Sequence, residues 1–108
     1  MSGATLDQLA LEEIVKRIVE VARPEKIILF GSAARGEMGP NSDLDLLIVK
    51  DGEHRRRLAG QIYDNLRGVG AAVDVVVVTP GDIERYRDSH ALVIKPALRE
   101  GRVIYEAA

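Results

Sequence analysis

The feature that most constrains the fold of this chain is a set of three short apolar runs, each too brief for a typical helix. They cover residues 26–30, 44–49 and 72–78. Isoleucine, leucine and valine dominate them, as expected for strands whose two faces are both covered. The third run is almost entirely β-branched, which is the strongest strand signal in the chain. We therefore predict a sheet containing all three runs, with the third at a central position.

Helical periodicity is found in the segments between and after these runs. Apolar residues three and four positions apart predict amphipathic helices on both sides of the first two strands. A hydroxyl, a proline and an acid at residues 79–82 are typical of a helix start. The order predicts a small α/β (α+β) fold, a mixed sheet with helices packed on it. The predicted helices and last edge strand cover residues 5–22, 58–66, 79–89, 91–100 and 103–105.

Length and composition limit the class of protein. At 108 residues we expect a single domain over residues 1–108. The formal net charge of −2 gives no strong signal for nucleic-acid binding. The chain has no cysteine, which excludes disulfides and thiolate zinc sites. The N-terminus does not have the pattern of a signal peptide, and no apolar run approaches the roughly 20 residues that span a bilayer. We therefore expect a cytoplasmic protein without membrane contact.

Three carboxylates interrupt the apolar runs. Asp43 and Asp45 open the second run, and residues two apart on a strand point the same way. At an effective dielectric of about 20, their repulsion is on the order of 2–3 kcal/mol, which a divalent cation with hard oxygen ligands removes. Asp74 lies inside the valine run, where an unpartnered buried carboxylate is costly. If the two strands are neighbours, the three acids form one cluster that can hold two Mg²⁺.

The turn G-S-A-A-R-G, residues 31–36, directly precedes this acidic segment. Gly31 and Gly36 let the backbone approach a ligand closely. Amides of a helical turn capped by Ser32 favour an anion such as phosphate, and Arg35 can bind the same anion. The turn matches neither a Walker A loop nor a dinucleotide-binding motif.

Structural alternatives stay open for these residues. The turn by itself is also typical of a plain strand-to-helix connection, and Asp43 alone can be a turn cap. Asp74 can be a strand-end acid in water or the ion-pair partner of Arg35 or Lys50. The basic residues 54–57 are interpreted as a solvated helix start, and the three tyrosines as packing residues: Tyr63, Tyr86 and Tyr105.

The run G-S-A-A-R-G, seven further residues, L-D-L and a later V-D-V-V resemble the minimal nucleotidyltransferase domains of the DNA polymerase beta superfamily. The closing E-G-R-V-I-Y-E extends the resemblance over most of the chain. It implies a polymerase beta-like fold, ATP as substrate and two Mg²⁺ ions, for which Mn²⁺ can substitute. It implies that Gly31 and Ser32 hold the triphosphate and that Asp43 and Asp45 bind both metals. Asp74 then binds the catalytic metal and helps to deprotonate the acceptor hydroxyl.

The same resemblance implies transfer of AMP from ATP to a hydroxyl group with release of pyrophosphate. We expect no helical acceptor-binding domain within residues 1–108. Small members of the family are often paired with a helical HEPN toxin, which they neutralise, in some cases by adenylylating a tyrosine. The expected role is therefore that of an antitoxin in a toxin–antitoxin system.

Two other functions stay open. The chain can be a binding module that neutralises its partner by contact alone, with an idle metal site. It can also modify a small hydroxylated molecule such as an aminoglycoside. In that case a homo-oligomer, in the simplest form a homodimer, would have to form the acceptor pocket.

Overall fold

The computed structural model describes residues 6–31, 44–52, 54–70, 72–86 and 101–107. The predicted helix over residues 91–100 lies outside this part of the chain. Within it, the predicted order of helices and strands is confirmed. The elements are α1 (Leu6–Ala22), β1 (Lys26–Phe30), β2 (Leu44–Val49), α2 (Arg55–Asn65), β3 (Val73–Val78), α3 (Pro80–Tyr86) and β4 (Arg102–Glu106).

The four strands form one mixed sheet in the order β3-β2-β1-β4. Strand β1 is antiparallel to β2 and β4, whereas β2 and β3 are parallel and are connected through α2. This mixed sheet with packed helices confirms the predicted fold class. The predicted central position of β3 is wrong, because β3 forms one edge of the sheet built by the described residues. A β-branched run determines that a segment becomes a strand, but not which strands pair with it.

Helices α1 and α2 cover one face of the sheet. Their apolar stripes have the three- and four-residue spacing expected of amphipathic helices. Alternate residues of the strands point towards them. The buried cluster on this face includes Ile14, Ile18, Ile27, Leu29, Leu44, Leu46, Ile48, Leu58, Ile62, Leu66 and Val77.

The opposite face of the sheet carries a smaller apolar cluster. Leu47 and Val78 are buried there, and Val76 packs against them. Since successive strand residues alternate between the two faces, Asp45 belongs on the same face as Leu47, and Asp74 on the same face as Val76. The fold therefore places both acids on the face that α1 and α2 do not cover.

The end of α1 follows from the proline that succeeds it. Arg23 has a φ of 45°, in the left-handed region in which many helices end. The following proline disfavours right-handed helical geometry at Arg23. The Arg23 N–H still donates to the carbonyl of Val19 at 3.0 Å, which closes the last turn. The buried Pro24 then directs the chain into β1.

The start of α3 also has the predicted capping. The N–H of Asp82 donates to Oγ1 of Thr79, and the N–H of Thr79 donates to Oδ2 of Asp82, both at 3.0 Å. The same carboxylate accepts a hydrogen bond from Arg55 at 3.0 Å, so the first turns of α2 and α3 are connected. No helix in the described part of the chain is long and apolar enough to span a membrane.

Candidate active site

Asp45 and Asp74 are direct neighbours in the parallel pair of strands. The register places Asp45 of β2 opposite Asp74 of β3, and adjacent strands are about 4.8 Å apart. Their side chains lie on the same face, because the residues on either side of each acid belong to the helix-covered cluster. Asp45 is half-buried and Asp74 is exposed. The two acid-bearing strands are therefore neighbours, which is the condition for Asp45 and Asp74 to belong to one cluster.

The end of β1 brings Gly31 against the carboxylate of Asp45. Phe30 is the register partner of Asp45, so the next residue lies beside the Asp45 side chain. Gly31 has a φ of 76°, in the left-handed region that favours glycine. A Cβ atom built on Gly31 would overlap Oδ2 of Asp45 and would lie 3.3 Å from its Cγ. Both the backbone conformation and the lack of space therefore require glycine at this position.

The other predicted site residues lie outside the described part of the chain. They are Ser32, Arg35, Gly36 and Asp43. The residues that flank this segment are described, and both adjoin the acid pair. Gly31 contacts Asp45, and Leu44 directly precedes it in β2.

The donor set of the acid pair fits a hard divalent cation such as Mg²⁺. Carboxylate oxygens are the ligands that Mg²⁺ and Ca²⁺ prefer, and the site has no sulfur or imidazole donor among its described residues. Two carboxylates about 5 Å apart repel each other by roughly 3 kcal/mol at an effective dielectric of 20. The described residues contain no group of three or more potential metal ligands. Asp43, the third predicted acid, lies outside the described residues.

The alternative that Asp74 forms an ion pair with Lys50 is wrong. Lys50 follows the end of β2, beyond the pairing of Val49 with Val78, and its Nζ donates to the carbonyl of Arg23 at 3.1 Å. This lysine therefore lies at the far end of the strands from Asp74. The side chain of Asp74 is instead exposed at the start of β3.

A groove of about 510 Å³ lies elsewhere on the molecule. Its lining includes Val49, Pro80, Ile83 and Glu106. Val49 is four residues from Asp45, which corresponds to about 13 Å along a strand. The groove is therefore separate from the acid pair.

Tyr63 makes a contact beyond the packing role predicted for it. Its hydroxyl accepts a hydrogen bond from the N–H of Val75 at 2.8 Å, one residue after Asp74. Tyr63 is 43% exposed, so packing describes only part of what this residue does. The signal in the sequence is the position of Tyr63, directly after a core residue of α2 and therefore at the border of its apolar stripe.

Comparisons with known proteins identify a family. The model of the nucleotidyltransferase domain family matches residues 10–104. Among curated proteins, UvrABC system protein A of Clostridium perfringens is 30% identical over 113 residues. That match covers 94% of this chain but 12% of the relative, so the chain spans about an eighth of that protein.

Solved structures are similar over most of the chain. A protein described as a minimal nucleotidyltransferase is 25% identical, with a TM-score of 0.54 and coverage of 94% of this chain and 98% of that one. A chain from the complex of the tri-AMPylated Shewanella oneidensis HEPN toxin with an MNT antitoxin is 16% identical, with a TM-score of 0.62 and coverage of 93% and 72%. Spectinomycin adenyltransferase from Enterococcus faecialis, with ATP and spectinomycin, is 15% identical, with a TM-score of 0.65 and coverage of 97% and 57%. At such identities the last two likenesses show the fold.

The family match includes all three strands that form the candidate site. It spans β1 with Gly31, β2 with Asp45 and β3 with Asp74. The similar structures cover 93–97% of this chain. The chain therefore belongs to the nucleotidyltransferase domain family.

Proposed function

We propose that this nucleotidyltransferase domain transfers AMP from ATP to a hydroxyl group in a Mg²⁺-dependent reaction. The observation that carries the proposal is the pairing of Asp45 with Asp74 across β2 and β3, with Gly31 against Asp45. ATP is the proposed donor because similar structures include an adenyltransferase with ATP and a complex with an AMPylated toxin. We propose that the protein acts in the cytoplasm, where ATP is available.

The acids have different proposed roles. Asp43, Asp45 and Asp74 would hold Mg²⁺, which when bound neutralises the phosphates and aligns the attacking and leaving oxygens. The acceptor oxygen forms a bond to the α-phosphorus while the bond from that phosphorus to the β-phosphate oxygen breaks, which releases pyrophosphate. The proton of the acceptor hydroxyl passes to the carboxylate of Asp74. This role suits Asp74 because its exposed side chain lies on an edge strand, where an acceptor can approach.

The turn after β1 would bind the triphosphate. We assign the triphosphate contacts to Gly31, Ser32, Arg35 and Gly36. Gly31 supports this assignment by its position, since a residue without a Cβ lets ligand and carboxylate approach the same backbone. A triphosphate at this point would lie next to the carboxylate of Asp45, which contacts Gly31.

The proposed acceptor is a tyrosine of a HEPN-type toxin, which makes the chain an antitoxin. The support is the structural likeness to the complex of an AMPylated HEPN toxin with an MNT antitoxin. In this proposal the toxin supplies the acceptor hydroxyl and the second wall of the active site.

The direct test is transfer of label from α-labelled ATP to a HEPN-type toxin in the presence of Mg²⁺. We expect Asp45→Asn and Asp74→Asn each to reduce labelling by about 100-fold or more, because each removes a charge needed in the transition state. Asp64→Asn is the matched control, since Asp64 is an exposed acid of α2 paired only with Arg67 in the described part of the chain. Labelling that survives both site variants would reject the assigned site.

The alternative of a binding module makes a different prediction for the same variants. If neutralisation of the toxin persists in the doubly substituted protein, Asp45→Asn with Asp74→Asn, contact alone is sufficient. Loss of neutralisation with retained toxin binding supports the catalytic proposal. A pull-down with the inactive variant distinguishes the two.

A small-molecule acceptor is favoured by one observation, the likeness to spectinomycin adenyltransferase. The test is transfer of label to spectinomycin by the chain without a protein partner. This function needs a homodimer to form the acceptor pocket. The mass of the protein in solution, alone and with a HEPN-type toxin, shows whether that homodimer exists.

A further inference from the structure

The outer edge of β3 can be identified from its hydrogen bonds to β2. The N–H of Leu44 donates to the carbonyl of Ala72, and the N–H of Lys50 to the carbonyl of Val78, both at 2.9 Å. In a parallel pair, alternate residues turn both peptide groups towards the same neighbour. The even-numbered residues of β3 therefore face β2. The peptide N–H of Val75 faces the opposite way, towards the outer edge.

The Tyr63 hydroxyl occupies this outer edge at Val75. It accepts the hydrogen bond from Val75 N–H at 2.8 Å, in solvent-exposed surroundings. The preceding residue, Ile62, has no exposed surface and belongs to the cluster between α2 and the sheet. A core residue of the helix thus determines where the hydroxyl lies at the strand edge.

The peptide bond between Asp74 and Val75 is consequently held from two sides. The carbonyl of Asp74 faces β2, and the N–H of Val75 is bound by Tyr63. We propose that Tyr63 is a positioning residue for Asp74, whose hydroxyl fixes the backbone from which that carboxylate reaches the site beside Asp45. This inference rests on the proposed function of the acid pair.

The exposure of Asp74 explains why a backbone restraint matters. Packing does not hold an exposed side chain, so the position of its carboxylate depends on the strand that carries it. A catalytic group displaced by about 1 Å can lose much of its effect. The hydrogen bond itself contributes little to stability, because water can replace an exposed hydroxyl. Its loss should therefore affect the site more than the fold.

The test is Tyr63→Phe, which keeps the ring and removes the hydroxyl. We expect the Val75 amide to exchange with solvent about 3- to 10-fold faster, as one lost hydrogen bond predicts. We expect the dissociation constant for Mn²⁺, measured by water-proton relaxation without ATP, to rise by a similar factor of about 3 to 10. In the labelling reaction kcat should fall by that factor, with the KM for ATP within about twofold.

Tyr105→Phe is the matched control. Tyr105 lies in β4 and packs against the core, and its hydroxyl has no hydrogen-bond partner among the described residues. All these quantities should stay at their wild-type values in this variant. In an Asp74→Asn background, Tyr63→Phe should have no further effect on kcat, because the two residues act through the same carboxylate.

The outcomes separate the inference from the proposed function. If Asp74→Asn binds Mn²⁺ as tightly as the wild type, the proposed function of the acid pair fails. If Asp74→Asn weakens binding but Tyr63→Phe does not, only the role of Tyr63 is overturned. Faster exchange of the Val75 amide with unchanged Mn²⁺ binding would likewise overturn the positioning role of Tyr63. Its hydroxyl would then only stabilise the edge of β3.

Discussion

At the scale of single residues, Gly31 is the most constrained of the described glycines. Its positive φ alone disfavours any residue with a Cβ, and the Asp45 carboxylate occupies the space that such an atom would need. Gly52 shares the first constraint, with a φ of 80°, but no atom of the described residues lies within 4 Å of an added Cβ. The two glycines therefore separate the effect of backbone strain from the effect of displacing the carboxylate.

We expect Gly31→Ala to reduce both stability and activity. An alanine in the left-handed backbone conformation costs about 1–2 kcal/mol at either position. In Gly31→Ala, displacement of the Asp45 carboxylate should also lower label transfer by about 100-fold. Gly52→Ala should lose a similar free energy of unfolding in urea while it keeps its activity. Equal activity of the two variants would contradict the role assigned to the Gly31–Asp45 contact.

At the scale of elements, Arg17 connects α1 to the end of α2. Its guanidinium donates to the carbonyl of Arg67 at 2.8 Å and to that of Asn65 at 3.4 Å. The Asn65 amide donates back to the carbonyl of Arg17 at 2.8 Å. A cation at the C-terminal end of a helix also interacts favourably with the helix dipole. These contacts set the position of α2, and through it that of Tyr63.

We expect Arg17→Met to reduce the free energy of unfolding by about 1–3 kcal/mol, because it leaves the carbonyls of Asn65 and Arg67, at and just after the end of α2, without their charged donor. Lys16→Met, at an exposed neighbouring position, should have little effect.

A hydrogen bond from Arg17, together with its charge, lowers the pKa of Glu13 below the ordinary 4.5. An NMR titration should show that pKa return towards 4.5 in Arg17→Met.

The sign of this pH dependence follows from the lowered pKa. A carboxyl whose pKa is lower in the folded protein stabilises it above the unfolded value, and this contribution is lost as the pH falls through the folded value. Stability of the wild type should therefore decline slightly more than that of Arg17→Met as the pH falls below 4.5. The opposite order would show that the Glu13 carboxylate is not bound to Arg17 in solution.

At the scale of the whole molecule, the two faces of the sheet differ: one is buried by α1 and α2, and the other carries the acids. Helices α1 and α2 bury one face, and the residues behind the site belong to that cluster. The acids lie on the other face, beside the smaller cluster that contains Leu47 and Val76. A rigid, covered face thus supports an accessible one, which is the arrangement that a nucleotide and an acceptor both need.

Metal binding should therefore be visible as a change in the stability of the whole domain. At a Mn²⁺ concentration 100 times its dissociation constant, we expect stabilisation by about 2.7 kcal/mol, since the ion binds the folded acid cluster. Thermal unfolding of the wild type and of Asp64→Asn should show this shift, and chelation should reverse it. An equal shift in Asp45→Asn would mean that the ion binds elsewhere.

Local patterns in the sequence were sufficient to predict every described helix and strand. Periodicity identifies an element because it depends on neighbours three or four residues apart, or two apart in a strand. The acids Asp45 and Asp74 were recognisable because carboxylates are poor residues for apolar strands. That the helices pack on the sheet followed from their apolar stripes, which must be buried.

Strand pairing and the contacts across it depended on the tertiary structure. The valine run of β3 did not reveal its edge position, because propensity is a property of the segment and pairing a property of the whole chain. The Tyr63 hydroxyl meets Val75 only after α2 has packed on the sheet and β3 has paired with β2. The residues determined which elements form and which side chains can do chemistry, whereas packing between distant segments decided which of them meet.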